Sequence, residues 1–409
     1  MRKDETIEKY ASLLLRFGVA LKRGQKLVVE LPADQNQLAQ KLDSCAKKMG
    51  AQDVIIFYRD DKADITYMKK HPDLMHQKQK MEERELADAL SGNAVSLAFL
   101  SPNPALNTEL DEVEKNKFST YRNSLRNIVR RAIRERHIQW CYACVPNQNW
   151  ARWMFPDFPA EKAEEKLWDI IRKICMLEET DPLSAWIEIY DKLYQHTKFL
   201  NEQHFSKIHF YNQKGTDLEV GLNPACIWEG GFEKDDYTSE YNQCNLPSYE
   251  ICTTTHRLRT NGIVYASKPL YVNGGVIEDF YLEFKNGEVV SFGAKTGRDL
   301  LEHILNCDEG SRYLGEVAFV EKDTPVAQES IVFFNTLLDE NAACHLALGE
   351  GFPGNIQGID PSDIRQVKKS GVNRSMQHID FMFGTDDLCA TGYTQDGIEI
   401  PIFKNGKFV

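Results

Sequence analysis

No stretch of this 409-residue chain approaches the ~18 consecutive apolar residues of a membrane span. A membrane-spanning protein is therefore not expected. Positive charge is also in short supply: 49 Lys and Arg face 61 Asp and Glu, a formal net charge of -12. That balance favours solubility and gives no support to nucleic-acid binding. The most basic stretch, RNIVRRAIRERH from Arg126 to His137, reads as the solvated face of a helix with Ile128, Val129 and Ile133 on its other side. A secretory leader is not expected, because Glu5, Glu8 and Lys9 interrupt the apolar core it would need. The ten cysteines follow no pattern. Reduced thiols and a cytoplasmic setting are the expectation. CYAC, Cys141 to Cys144, is the one C-x-x-C; without a second pair at zinc-ribbon spacing it reads as a thiol pair in a strand. There is no internal repeat and no low-complexity tract.

What is present is an ordinary globular composition, 42% hydrophobic and 27% charged, long enough for two or three domains. The first part alternates. Helical spacing over 4–22, 35–49 and twice between 64 and 91 is interleaved with the apolar runs KLVVEL, DVIIFY, AVSLAFLS and IQWCYACV. Alternation of that kind predicts an α/β domain with a mostly parallel sheet. PADQNQ, not a glycine-rich loop, follows the first strand, so a dinucleotide fold is not expected. From about 160 the pattern changes. Two helical stretches, 160–177 and 183–200, lead into alternating strands broken by Asn-Gly turns at 261–262, 273–274 and 286–287, where hairpins are expected, then a helix over 295–306 and a closing hairpin at Asn405-Gly406. This half reads as α+β and largely antiparallel. The expected domains are 1–180 and 181–409, with the boundary between about 105 and 185.

Candidate chemistry lies in the second half. HIDFMFG places His378 and Asp380 two residues apart, which in a strand puts both on one face and Ile379, Phe381 and Phe383 on the other. Burying a charge there is costly unless it is paired or bound to a metal. Local sequence leaves open a His–Asp hydrogen bond in a core, a metal site or a catalytic pair. Glu250 in NLPSYEICTTTHR, Glu316 in YLGEVAFV, and Glu340 with His345 in LLDENAACH stand in similar apolar or turn contexts. Six oxygen and nitrogen donors without cysteine suit a pair of divalent ions better than a structural zinc. GEGFPG, Gly349 to Gly354, matches G-x-G-x-x-G literally but lacks the strand-to-helix context, and reads as a loop.

NLPSYEICTTTHR, GEVAFV, DENAACHLALG and GVNRSMQHIDFMFG resemble, in order, the motifs of the thermophilic-type metallo-aminopeptidase family, the aminopeptidase T and aminopeptidase S group. YASLLLRFGVALKRGQKLVVE, WARWMFPD, DPLSAWIEIYDKLYQHTKFLN, GTDLEVGL and IWEGG extend the likeness to nearly the whole chain. The resemblance implies an α/β N-terminal domain and an α+β catalytic domain. It implies an enzyme that releases N-terminal residues from short peptides with a free N-terminus, by a two-metal-activated hydroxide. Carried over by motif, the metal ligands are Glu250, Glu316, Glu340, His345, His378 and Asp380, with Glu316 the candidate bridging and catalytic carboxylate. The cofactors are two divalent ions per chain, zinc, cobalt, manganese or a mixture. A homodimer is implied, with no nucleic-acid or membrane partner. Two positions depart from the family pattern. Phe352 stands where a tyrosine thought to assist the reaction is usual, and Thr255 where proline is usual; the latter is expected only to alter a turn. Phe352 keeps two alternatives in view: a catalytically weakened relative that binds peptides or metal, and a two-metal hydrolase of another amide. His256 is not expected to be a ligand.

Overall fold

The computed structural model describes residues 3–108, 110–136, 138–233, 243–272 and 274–409. They form two compact units. One runs through Trp186 and takes in residues 243–247; the other comprises 187–233 and the rest of the chain from Ser248.

The first unit is α/β. Its strands are β1 (Lys26–Pro32), β2 (Asp53–Arg59), β3 (Ala94–Phe99), β4 (Trp140–Ala143) and, far later in sequence, β7 (Asn245–Leu246). All pair in parallel, in the order β2-β1-β3-β4-β7. β3 is buried along its whole length, as expected of a strand covered on both faces. The helix Asn36–Lys48 covers the sheet through Leu38, Ala39, Leu42 and Ala46, a single stripe at helical spacing. The basic stretch lies on the helix Glu112–Arg136, with Val129 buried and Ile128 and Ile133 packed against the same core; His137 lies outside the described residues. Cys141 and Cys144 are buried, reduced thiols in and just after β4.

The second unit is α+β. An eight-stranded sheet is built from β5 (Lys207–Tyr211), β6 (Asp217–Gly221), β9 (Asn261–Tyr265), β12 (Tyr281–Lys285), β13 (Glu288–Gly293), β17 (Cys389–Tyr393), β18 (Glu399–Lys404) and β19 (Lys407–Phe408), each neighbour antiparallel. A four-stranded antiparallel sheet holds β8 (Ile251–Thr254), β14 (Leu314–Phe319), β15 (His345–Gly349) and β16 (His378–Met382), in the order β16-β15-β14-β8. β10 (Leu270–Val272) and β11 (Gly275–Ile277) form a separate ribbon.

Asn286-Gly287 and Asn405-Gly406 turn hairpins as expected, with φ of 50° and 85°, and 51° and 76°. Asn273 lies outside the described residues. Asn261-Gly262 is different: it opens strand β9 and turns nothing. A Cβ on Gly262 would sit 2.2 Å from the Asp217 carbonyl oxygen, so the glycine answers to close strand approach.

Candidate metal centre

The four-stranded sheet has two chemically distinct faces. One carries Ile251, Val317, Phe319, Leu346, Leu348, Phe381 and the flanking Phe383 into the hydrophobic core. Alternation turns the other residues the opposite way. Register aligns Thr254, Glu316, Ala347 and Asp380 in one row across the strands, and Cys252, Ala318, His345 and Met382 in the next. His378 stands across from Gly349. The small residues Ala318, Ala347 and Gly349 leave room above the sheet for the polar side chains around them. Glu250 immediately precedes β8, and Glu340 begins a short 3-10 turn ahead of β15.

Five of the six sequence-derived candidates stand in two overlapping triads. Glu250, Glu316 and His345 have donor atoms within 4.8 Å of one another, and so do Glu316, His378 and Asp380. Glu316 belongs to both. His345 Nε2 lies 3.3 Å from Glu250, and His378 Nε2 lies 3.0 Å from Glu316 and 3.2 Å from Asp380. Glu340 falls outside both triads but is electrostatically coupled to Glu250, Asp380, His345 and Glu316. Glu316, His345 and Asp380 are all more than nine-tenths buried. All six belong to the second unit.

The backbone aims the imidazoles. His378 Nδ1 donates to the Glu350 carbonyl at 2.7 Å, and His345 Nδ1 donates to the Ala343 carbonyl at 3.3 Å. A carbonyl only accepts, so each ring presents Nε2 to the carboxylates. This is how metal-ligating histidines are usually oriented. Glu350 is itself held: its carboxylate pairs with Arg374 at 2.9 Å and accepts from the Ser375 N–H at 2.5 Å.

Crowding shifts Glu340, Glu316, Asp380, His345 and His378. Burial, then Glu250 and Asp380, raise Glu340 well above the ordinary carboxylate range. Burial raises Glu316 as well, against the pull of His378. Burial opposes ionisation of Asp380, but His378 outweighs it and holds that carboxyl low. Burial would lower both imidazoles; instead the carboxylates push His345 up to about 10 and His378 well above its usual value. Asp380 Oδ1 is buried and, despite the nearby His378, has no partner in hydrogen-bonding geometry. An oxygen-rich set with two aimed imidazole nitrogens and an unsatisfied carboxylate oxygen fits a divalent cation.

One neighbour that sequence did not single out lies on the same face. Cys252 is half-buried between Glu250 and Thr254; burial, then Glu316, Glu250 and Glu229, push its thiol well up. Its i+2 spacing from Glu250 was the available signal. Thr255 does more than shape a turn. Its N–H donates to the Gly315 carbonyl at 3.0 Å and its hydroxyl to the Leu314 carbonyl at 2.9 Å, and proline can do neither. His256 is in neither triad. Its Nδ1 accepts from the Leu258 N–H at 3.2 Å, and its ring occupies the space a Cβ on Gly371 would need.

The chain is 35% identical to Aminopeptidase 2 of Geobacillus stearothermophilus over 413 residues, covering 100% of this chain and 98% of the relative. It is 32% identical to Aminopeptidase AmpS of Bacillus subtilis, covering 99% and 98%. The solved structure of wild-type AmpT from Thermus thermophilus superposes with a TM-score of 0.89 at 30% identity, covering 99% of each chain. Residues 3–408 match the family described as thermophilic metalloprotease (M29), and the chain belongs to that family.

Proposed function

We propose that the protein is a metal-dependent aminopeptidase that works with two divalent cations, held by Glu250, Glu316, Glu340, His345, His378 and Asp380. The observation that carries this reading is Glu316, one carboxylate common to two donor triads. A carboxylate can bridge two ions ~3.5–4 Å apart. Charge supports the pair as well, since the four carboxylates of the set match the charge of two dications, with both imidazoles neutral. Zinc, cobalt and manganese all suit these donors.

Such a pair, when bound, polarises a scissile carbonyl and makes water a nucleophile at neutral pH. The chain supplies the rest. The Glu350 and Ala343 carbonyls fix the two rings, and Glu316 ties the halves of the site together. The apolar underside of the sheet keeps water from reaching the site through the core. The proposed substrates are short peptides with a free N-terminus; the relatives' names, aminopeptidases, support the free N-terminus. The reading extends to a homodimer in the cytoplasm. Ten cysteines without a disulfide agree with a reducing compartment.

Phe352 favours a second reading, a weakened relative, because its ring lies against His378 and has no hydroxyl to offer. One experiment separates these possibilities from hydrolysis of some other amide. The metal-loaded protein is incubated with a short peptide and with its N-acetylated form. Release of the first amino acid from the free peptide alone is expected. No release from either peptide sinks the aminopeptidase reading, and equal cleavage of both turns it toward another amide.

A further inference from the structure

An exopeptidase must recognise the free end of its substrate, and a carboxylate beside the metal donors is suited to an ammonium group. One such carboxylate lies in a segment paired to the outer side of β8. Glu229 and Cys252 exchange both backbone hydrogen bonds, each at 2.9 Å, in an isolated antiparallel bridge. Residues directly opposite in such a pair project from the same face. Cys252 shares its face with Glu250, two residues earlier, so Glu229 is placed on the metal-site face beyond the last strand.

The segment around Glu229 is rigid. Asn201 clasps Trp228 from both sides, accepting from its N–H at 2.8 Å and donating to its carbonyl at 3.0 Å. The Ile227 carbonyl accepts from Thr253 Oγ1 at 2.7 Å and from Asn355 Nδ2 at 3.2 Å. The Gly230 carbonyl accepts from Thr197 Oγ1 at 2.6 Å. A Cβ on Gly230 would sit 2.8 Å from the Glu250 carbonyl oxygen, so the chain can approach β8 this closely only as glycine. Within this clamped segment Glu229 is exposed, and it has no ion-pair partner among the described residues. A fixed backbone thus presents an unpaired carboxylate on the face of the cation site, where a cationic group can meet it. Glu229 also exceeds the four carboxylates that two dications would neutralise.

We propose that Glu229 is the residue that binds the α-ammonium group of the substrate's first residue. This assignment rests on the aminopeptidase reading for the identity of the ligand. It makes Glu229 a determinant of exopeptidase specificity, because an acylated N-terminus would present it with no charge.

The test measures binding, not turnover. Calorimetry on the metal-loaded protein compares the amino alcohols of leucine, phenylalanine and alanine with the same alcohols lacking the amine. The wild type is expected to prefer at least one amine-bearing compound. Glu229→Gln is expected to lower that preference about ten-fold or more, the scale of a charge-assisted hydrogen bond. The metal-to-chain ratio and melting temperature are measured on the same samples and are expected to be unchanged. Any of three results overturns the proposal: no amine preference in the wild type, a preference that survives the substitution, or loss of bound metal in the variant, which would make Glu229 a ligand. Release of N-terminal residues by the wild type is assayed separately. Its absence would sink the aminopeptidase reading without touching a Glu229-dependent amine preference.

Discussion

The Phe352 ring packs against the His378 imidazole with centroids 5.1 Å apart, and the Phe352 N–H donates to Thr254 Oγ1 at 3.2 Å. Its backbone is thus fixed beside the site, and its half-buried ring borders the donors. A hydroxyl at the ring tip would add a hydrogen-bond donor that phenylalanine lacks. Phe352→Tyr is therefore expected to raise kcat, by up to about 10²–10³-fold if the hydroxyl acts as an oxyanion donor does. Bound metal should not change, since the ring is no ligand. Side-by-side kinetics on one peptide at equal metal loading checks this; an unchanged or lower kcat would mean that the site has no use for the hydroxyl. At this scale the sequence was most informative where residue types were costly to bury. His378 and Asp380 in an apolar strand had to be explained by pairing or by metal. Glu340 drew notice beside His345 in LLDENAACH, but a turn residue carries no periodicity to say where its side chain goes, so its assignment as a ligand came with the family resemblance.

Strand β16 was readable as an element because alternation holds along it. Along β16 the donors His378 and Asp380 alternate with Ile379 and Phe381 against the core, so that strand declares both faces; β14 does so only past its register shift between Leu314 and Glu316. Asn261-Gly262 was misread because an Asn-Gly pair serves a turn and a close backbone approach equally well, and only the neighbouring Asp217 carbonyl distinguishes them. The entry into β16 depends on a second device that local pattern does not reveal. The Asp308 carboxylate accepts from the Gly310 N–H at 2.8 Å, Ser311 Oγ at 3.0 Å, Ser375 Oγ at 2.9 Å and the Met376 N–H at 2.6 Å. Burial opposes its ionisation, but these donors outweigh burial and hold its pKa below the ordinary aspartate value. A depressed carboxylate stabilises the fold above its unfolded pKa of ~3.9, and that stability is lost as pH falls through the lower folded value. Asp308→Asn is expected to cost about 1–2 kcal/mol at neutral pH. The gap from wild type should narrow as the pH is lowered through the acid range. Denaturant melts at pH 7 and in steps downward from pH 5 measure it; a gap independent of pH would contradict the role given to the charge.

The whole molecule divides by chemistry as well as by contacts. The parallel sheet of the first unit was evident from its continuous apolar runs, but its fifth strand was not. Asn245–Leu246 is two residues long and lies about a hundred residues beyond its neighbour β4, too short for any pattern to announce. The second unit holds every proposed metal donor, four of them on one sheet face, and that concentration of buried carboxylate is unfavourable without compensating charge. The central claim is thus a number: two divalent ions per chain. Elemental analysis of purified protein, loaded with metal and then dialysed against metal-free buffer, measures it directly. The account predicts about two equivalents of divalent ion per chain, and one equivalent or none would contradict it.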